Sequence, residues 1–284
     1  TVGALRKKGT SVITEDLCYD YKDLPEVVKE LRIIFQKWRY DDAVIFGHAK
    51  DGNLHFAASM DLNSSDGVKR FDGLLQDMVE LTVGKFNGSL KAEHGTGRNM
   101  APFVEYEWGG ELYQIMWKIK QIADPEGILN PDVLLTKDQK LHIKNLKPIP
   151  VVHDSVDLCV ECGFCEPVCP SAGLSLTPRQ RIVIARELRL NEKDTRINRK
   201  KILKDIDYNS NKTCAADGMC EVMCPININT GTFVQYFREE SHSKFGEWCA
   251  GWVQGHFTFI QSLLRGLITI THWWSKFIGD SIPH

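Results

Sequence analysis

Two cysteine runs constrain this chain more than any other feature. The first reads CVECGFCEPVCP and places Cys159, Cys162, Cys165 and Cys169 before Pro170. This C-x2-C-x2-C-x3-C-P spacing lets the backbone wrap one face of a cuboidal iron-sulfur cluster, while the fourth cysteine points away to serve a second one. The second run, TCAADGMCEVMCP, repeats the pattern with Cys214, Cys220 and Cys224, but carries Asp217 where a cysteine is due. Two runs imply two crossed sites. Cys159, Cys162 and Cys165 take Cys224, and Cys214 and Cys220 take Cys169, with Asp217 alongside. A pair of zinc knuckles is the competing reading, but zinc favours two separated ligand pairs over so packed a run.

Seven of the nine cysteines in the 284 residues fall in these runs, so the thiols read as metal ligands of an intracellular redox protein. Cys18 and Cys249 are left over, and each is expected to be a buried, inert thiol. The formal net charge of −2 implies no polyanionic partner, which excludes nucleic acid. The 43% of apolar residues suffices for a sizeable core. The chain starts TVGALRKKGT, with no initiator methionine and no targeting segment, and reads as a fragment.

A composition shift at KNLKPIPVVHD, residues 144–154, marks a linker between an α/β part and the cysteine part. In the first part, DDAVIF and NLHFAAS read as strands, and Asp51-Gly52 reads as a two-residue hairpin turn. That turn would set His48 opposite His55, with Cβ atoms about 4.5 to 5.5 Å apart. Two imidazoles there could share a cation. KAEHGTGR adds Glu93 and His94 before two glycines, which let the backbone approach a ligand closely. Three protein ligands with open positions describe a catalytic metal, and zinc, manganese or iron would all suit two His and one Glu.

Leu24, Val27, Val28, Leu31, Ile34, Phe35 and Trp38 recur at helical spacing, as do Phe71, Leu74, Leu75, Met78 and Leu81. Both stripes read as core. Between the cysteine runs, Thr177-Pro178-Arg179-Gln180 forms a capping box, with proline at the first helical position. Near the end, FTFIQSLLRGLITITHWWSKFI (257–278) is an apolar stripe interrupted by Arg265 and other polar residues, which argues against a spanning helix. An interfacial helix touching the membrane from one side is one option, and a helix separated from a packing partner further along the chain is the other.

Taken together, GHAKDGNLHF, GSLKAEHGTGRNMAPFVEYEW, DPEGILNP and the cysteine runs resemble the flavin-dependent D-2-hydroxyacid dehydrogenases with a fused ferredoxin-like domain. The likeness covers residues 1 to about 240. It implies an α+β fold: an FAD-linked-oxidase C-terminal (substrate) domain with antiparallel sheet and helices, then a mostly helical two-cluster ferredoxin-like domain. The expected boundaries are 1–143 for the first, 144–154 for the linker, 155–240 for the second, and 241–284 for a helical segment leading into a further domain. The FAD-binding domain of such enzymes lies upstream of the matched part, so the fragment alone is expected to be inactive.

The resemblance also implies roles. His48, His55 and Glu93 match divalent-metal ligands, His94 an active-site base, Asn53 a residue beside flavin and substrate, and Arg6 a carboxylate-binding arginine, for which a planar guanidinium is suited. D-lactate or D-2-hydroxyglutarate would be oxidised to the 2-oxo acid by hydride transfer to FAD. Electrons would then pass singly through the clusters to a membrane quinone or another acceptor. The second run also resembles the iron-sulfur subunits of fumarate reductase, which lack a cysteine at the position of Asp217. A [4Fe-4S] cluster on Cys159, Cys162, Cys165 and Cys224 is therefore expected beside a [3Fe-4S] cluster on Cys169, Cys214 and Cys220. A second [4Fe-4S] cluster with Asp217 as ligand is the runner-up. The expected location is cytoplasmic, with peripheral contact at the inner membrane face as an option. An electron-transfer subunit without its own substrate site is the alternative function; it leaves the histidines and Glu93 unexplained.

Overall fold

Three strands form one antiparallel sheet in the computed structural model, which describes residues 6–194, 199–241 and 243–278. They are β1 (Ser11–Cys18), β2 (Val44–His48) and β3 (Asn53–Met60), in the order β1-β3-β2. Strand β3 is central and buried throughout. Because side chains alternate across a strand, Leu17, Leu54, Phe56 and Ala58 share one face, while Asp16, Asn53, His55 and His48 share the other.

The apolar face is covered by α1 (Leu24–Lys37) and α2 (Ser65–Val79). Val27, Leu31 and Phe35 of α1 and Phe71, Leu74, Leu75 and Met78 of α2 are buried, as their helical spacing predicts. Phe35 meets Phe56 edge-on at 5.2 Å between ring centroids. Burying each such side chain contributes about 1.5–3 kcal/mol. The Ser64 hydroxyl opens α2 by accepting the Gly67 N–H at 3.1 Å, an N-cap worth about 1 kcal/mol.

After α2 the chain makes one wide turn, Glu80–Lys85, and returns to the sheet. Ser89 exchanges two backbone hydrogen bonds with Cys18, at 2.8 and 2.9 Å, so the following residues are laid against the polar face. A short helix, α3 (Gly97–Met100), leads into α4 (Val104–Ala123), which breaks at Gly109, where φ is 76°. Residues 144–154 form neither helix nor strand.

The cysteine part is built of loops joined by helices: α5 (Pro178–Leu190), α6 (Arg199–Ile206), α7 (Met219–Met223) and α8 (Thr230–Ser241). Pro178 opens α5 as expected, and the Thr177 N–H donates to Gln180 Oε1 at 2.9 Å. By compactness the chain divides into residues 1–233 and 234–284. The second unit contains α9 (Lys244–Gly255) and α10 (Phe257–Ile278), and α10 exposes Leu263, Leu267, Ile270, Trp273 and Trp274. Among the described residues no helix is long and apolar enough to cross a membrane. Neither leftover cysteine is buried; Cys18 and Cys249 are both partly exposed, Cys18 because it stands on the polar face of the sheet, which the apolar core does not cover.

Candidate functional site

The hairpin register differs from the expected one by two residues. His48 faces Asn53, and His55 faces Phe46. The connection takes four residues instead of two: Ala49–Asp51 make a 3-10 turn, and Gly52 closes it at φ 69°. The cause is the segment that follows β1. The Tyr19 N–H donates to Gly52 O at 2.9 Å, and a Cβ at Gly52 would lie 1.9 Å from the Tyr19 carbonyl oxygen. A one-residue slip would have turned His48 to the core, but a two-residue slip preserves the face. His48 and His55 become diagonal neighbours, with ring centroids 5.4 Å apart.

Glu93 completes the group. Its Oε1 lies 3.0 Å from His55 Nε2 and 3.3 Å from His48 Nε2, and ligand atoms of all three residues fall within 4.8 Å of one another. The His94 ring stacks on His55 at 4.7 Å, nearly parallel, with its Nε2 4.0 Å from Glu93 Oε1. The His55 side chain is 6% exposed, whereas those of His48, Glu93 and His94 are about half exposed, so the group has a buried floor and an open mouth.

Asp16, which sequence reasoning missed, holds this arrangement together. It faces His55 directly across β1 and β3 and is fully buried. One carboxylate oxygen accepts the backbone N–H groups of Ala92, Glu93 and His94 at 2.9, 2.7 and 2.8 Å. The other accepts the Asn53 side-chain N–H at 2.5 Å and lies 3.6 Å from His55 Nδ1. Burial pushes the Asp16 carboxyl up, but the backbone donors at His94, Ala92 and Glu93, with Asn53, outweigh it and bring its pKa to about 2. Asp16 also forms a second compact group with His55 and His94. An acidic pair inside SVITEDLC hides the strand that carries it.

Asn53 lies in the site; its amide nitrogen is committed to Asp16 and to Leu17 O at 3.1 Å, while its amide oxygen has no hydrogen-bond partner among the described residues. Arg6 is not brought there. Its guanidinium is 3% exposed and donates to Thr10 O at 2.5 Å and to the backbone carbonyls of Asp157 and Cys159, the latter at 2.9 Å. These carbonyls take the place of the substrate carboxylate expected from the resemblance.

The cysteines gather in two places, crossed between the runs. A cavity of about 210 Å³ is walled by Cys159, Cys162, Cys165 and Cys224, with Phe164, Ile182 and Ile226 among its apolar neighbours. A smaller one is lined by Cys169, Cys214 and Cys220 together with Asp217. Four thiolates on one zinc ion would stand ~3.8 Å apart. Among the described residues no three thiols come within 4.8 Å of one another, which leaves room for a larger inorganic core. Asp217 Oδ1 accepts the Met219 N–H at 3.2 Å, between two left-handed residues, Ala216 and Gly218. Burial pushes the Cys159 thiol up and the Cys165 thiol to about 11, so metal loading there releases protons.

The loops are tied by buried arginines. Arg186 donates to Cys159 O at 3.0 Å and pairs with Glu161 at 2.6 Å. Arg181 donates to Ser210 O and to the Ser171 hydroxyl, at 3.0 and 2.8 Å. No spacing argument points to either residue; only their burial does.

Comparison with known proteins matches two stretches of the chain. Residues 1–134 match the C-terminal domain of FAD linked oxidases, and residues 155–228 match a 4Fe-4S dicluster domain. The glycolate oxidase subunit GlcD of Bacillus subtilis is 30% identical over 143 residues, covering 50% of this chain and 30% of that one. The D-2-hydroxyglutarate dehydrogenase of Haemophilus influenzae is 26% identical over 306 residues, covering 85% of this chain and 30% of its own length. The mitochondrial D-2-hydroxyglutarate dehydrogenase of Arabidopsis thaliana is 33% identical over 131 residues, 45% of this chain and 22% of that one. The chain thus spans less than a third of each of these relatives. With an antiparallel sheet carrying histidines and a carboxylate, and two crossed sets of thiols, it joins an FAD-linked oxidase C-terminal domain to a 4Fe-4S dicluster domain.

Proposed function

We propose that this chain is the substrate-side and electron-transfer part of an FAD-dependent D-2-hydroxyacid dehydrogenase acting on D-lactate or D-2-hydroxyglutarate. The observation that carries the reading is Glu93 Oε1 set between His48 and His55, with the His94 ring stacked beside them. The residues fit a divalent cation. Separations of 3.0 and 3.3 Å between ligand atoms are those expected of neighbours around an ion with bonds of ~2.1 Å. Two crossed thiol groups fit a [4Fe-4S] cluster on Cys159, Cys162, Cys165 and Cys224, and a [3Fe-4S] cluster on Cys169, Cys214 and Cys220. An Asp217-ligated [4Fe-4S] cluster is the second choice there, since a carboxylate is a harder partner than a thiolate.

When bound, the cation supplies charge withdrawal from the C2 hydroxyl, FAD the hydride acceptor, and the clusters single-electron passage to a quinone or other acceptor. The chain's own residues do the rest. His48, His55 and Glu93 fix where the hydroxyl oxygen sits. His94 takes the hydroxyl proton, a role suited to an imidazole, whose ring nitrogen can accept a proton. The buried floor made by His55 and Asp16 keeps water from that side of the site, while the open mouth admits substrate. Asp16 holds the Glu93-His94 backbone, so that ligand and base move as one unit.

The full-length protein, given a panel of D-2-hydroxy acids with an artificial electron acceptor, should turn over D-lactate or D-2-hydroxyglutarate. A protein with intact clusters that oxidises no 2-hydroxy acid would leave only the electron-transfer role.

A further inference from the structure

The two thiol groups differ in what touches sulfur. At the first, Cys159 Sγ receives a neutral backbone N–H from Glu161 at 3.4 Å, while the buried Arg186 is spent on carbonyl oxygens and on Glu161. At the second, a charged side chain reaches the ligand atom itself. Arg181 on α5 is 2% exposed, and its Nη1 lies 3.9 Å from Cys169 Sγ. Its Nη2 donates to Ser171 Oγ at 2.8 Å, and that hydroxyl is 3.3 Å from the same sulfur and 3.2 Å from Thr213 O, next to Cys214. Among the described residues no carboxylate lies within ion-pair distance of Arg181; Asp217 lines the same cavity without pairing with it.

A guanidinium carries its charge permanently, and hydrogen bonds from charged donors are roughly twice as strong as neutral ones. A one-electron reduction adds a negative charge to a cluster. A buried cation on a ligand sulfur therefore favours the reduced form, through the net charge and sulfur hydrogen bonding that set cluster potentials. We propose that Arg181, held in place by the Ser171 hydroxyl, is a positioning residue that raises the reduction potential of the cluster held by Cys169, Cys214 and Cys220. This rests on the two-cluster reading above.

The test is an anaerobic redox titration of the full-length protein followed by electron paramagnetic resonance, with iron content measured on each sample. The parent should show two separate one-electron steps. Arg181→Met should lower the step of the second cluster by at least about tenfold in its oxidised-to-reduced equilibrium, 59 mV for one electron, and leave the other step in place. Arg181→Lys, which keeps the charge, should recover part of the shift. An Arg181→Met protein with full iron content and an unmoved second step overturns the proposal. If that variant loses iron, Ser171→Ala and Arg181→Lys decide instead: a lowered second step in Ser171→Ala supports the proposal, and two unmoved steps overturn it. A parent that shows one cluster only removes the two-cluster reading, and the proposal with it.

Discussion

The histidine site and the thiol sites are held by opposite means. His48, His55 and Asp16 stand on strands, and their mutual placement follows from the pairing of β1 and β2 with β3. The cysteines stand on loops and one short helix, where arginines hold the backbone: Arg6 and Arg186 on Cys159 O, and Arg181 on Ser210 O. A sheet fixes distance through register, so a site on it survives the loss of one ligand. Loops without a ladder depend on what they bind. The two kinds of site should therefore fail differently.

The largest effect belongs to the loops. Cys224→Ala should abolish the cluster in the cavity of the first run, although the residue lies in the second, and leave iron at the other site; iron analysis and cluster absorbance check it. Loss of the second cluster instead would break the crossed assignment. On the sheet, His94→Ala in the full-length enzyme should lower kcat at least ~100-fold, the lower range for a lost general base, with a smaller change in substrate binding. Near-normal turnover of both D-lactate and D-2-hydroxyglutarate would remove that role from His94. Asp217→Cys should add one iron per chain and abolish the paramagnetism of the oxidised three-iron form.

Asp16→Asn sharpens the contrast. It keeps the shape but turns a charged acceptor into an amide, one edge of which faces the Asn53 donor. A loss of about 2 kcal/mol is expected in chemical denaturation, from the range for hydrogen bonds to charged groups, together with weaker divalent-metal binding and unchanged cluster absorbance. Bleached clusters in this variant would show that the two regions are not independent. The smallest effect is Thr177→Ala, about 1 kcal/mol, through loss of the hydroxyl donated to Glu166 Oε1 at 2.6 Å at the start of α5.

What could be read from the sequence follows the same division. A cysteine run is local, so its spacing marks the ligands directly, and the rule that the fourth cysteine of each run serves the other cluster gives the expected crossing of Cys169 to Cys214 and Cys220. The histidine site depends on partners far apart in the chain. The hairpin was legible through Asp51-Gly52 and the flanking strand formers, but its register was not, because Tyr19, more than thirty residues away, occupies the backbone of Gly52. Asp16 was invisible for the same reason: its partners are residues 53, 55 and 92–94. Arg6, given a role by resemblance, is found among carbonyl oxygens instead. Arg181 and Arg186 look like ordinary surface charges of an amphipathic helix until their burial is seen.

The crossing of the thiols has a consequence for how the chain comes to be folded. A cluster seated between Cys165 and Cys224 is also a cross-link, closing a loop of ~60 residues. By the chain-entropy account that applies to disulfides, such a closure disfavours the unfolded ensemble by about 4 kcal/mol. On the proposed crossed assignment, neither core could be completed until the second run had left the ribosome, and the first run would wait with unliganded thiols. Iron delivery and the end of synthesis of this domain would thereby be coupled, and a chain starved of iron would lose a staple as well as the proposed electron carriers.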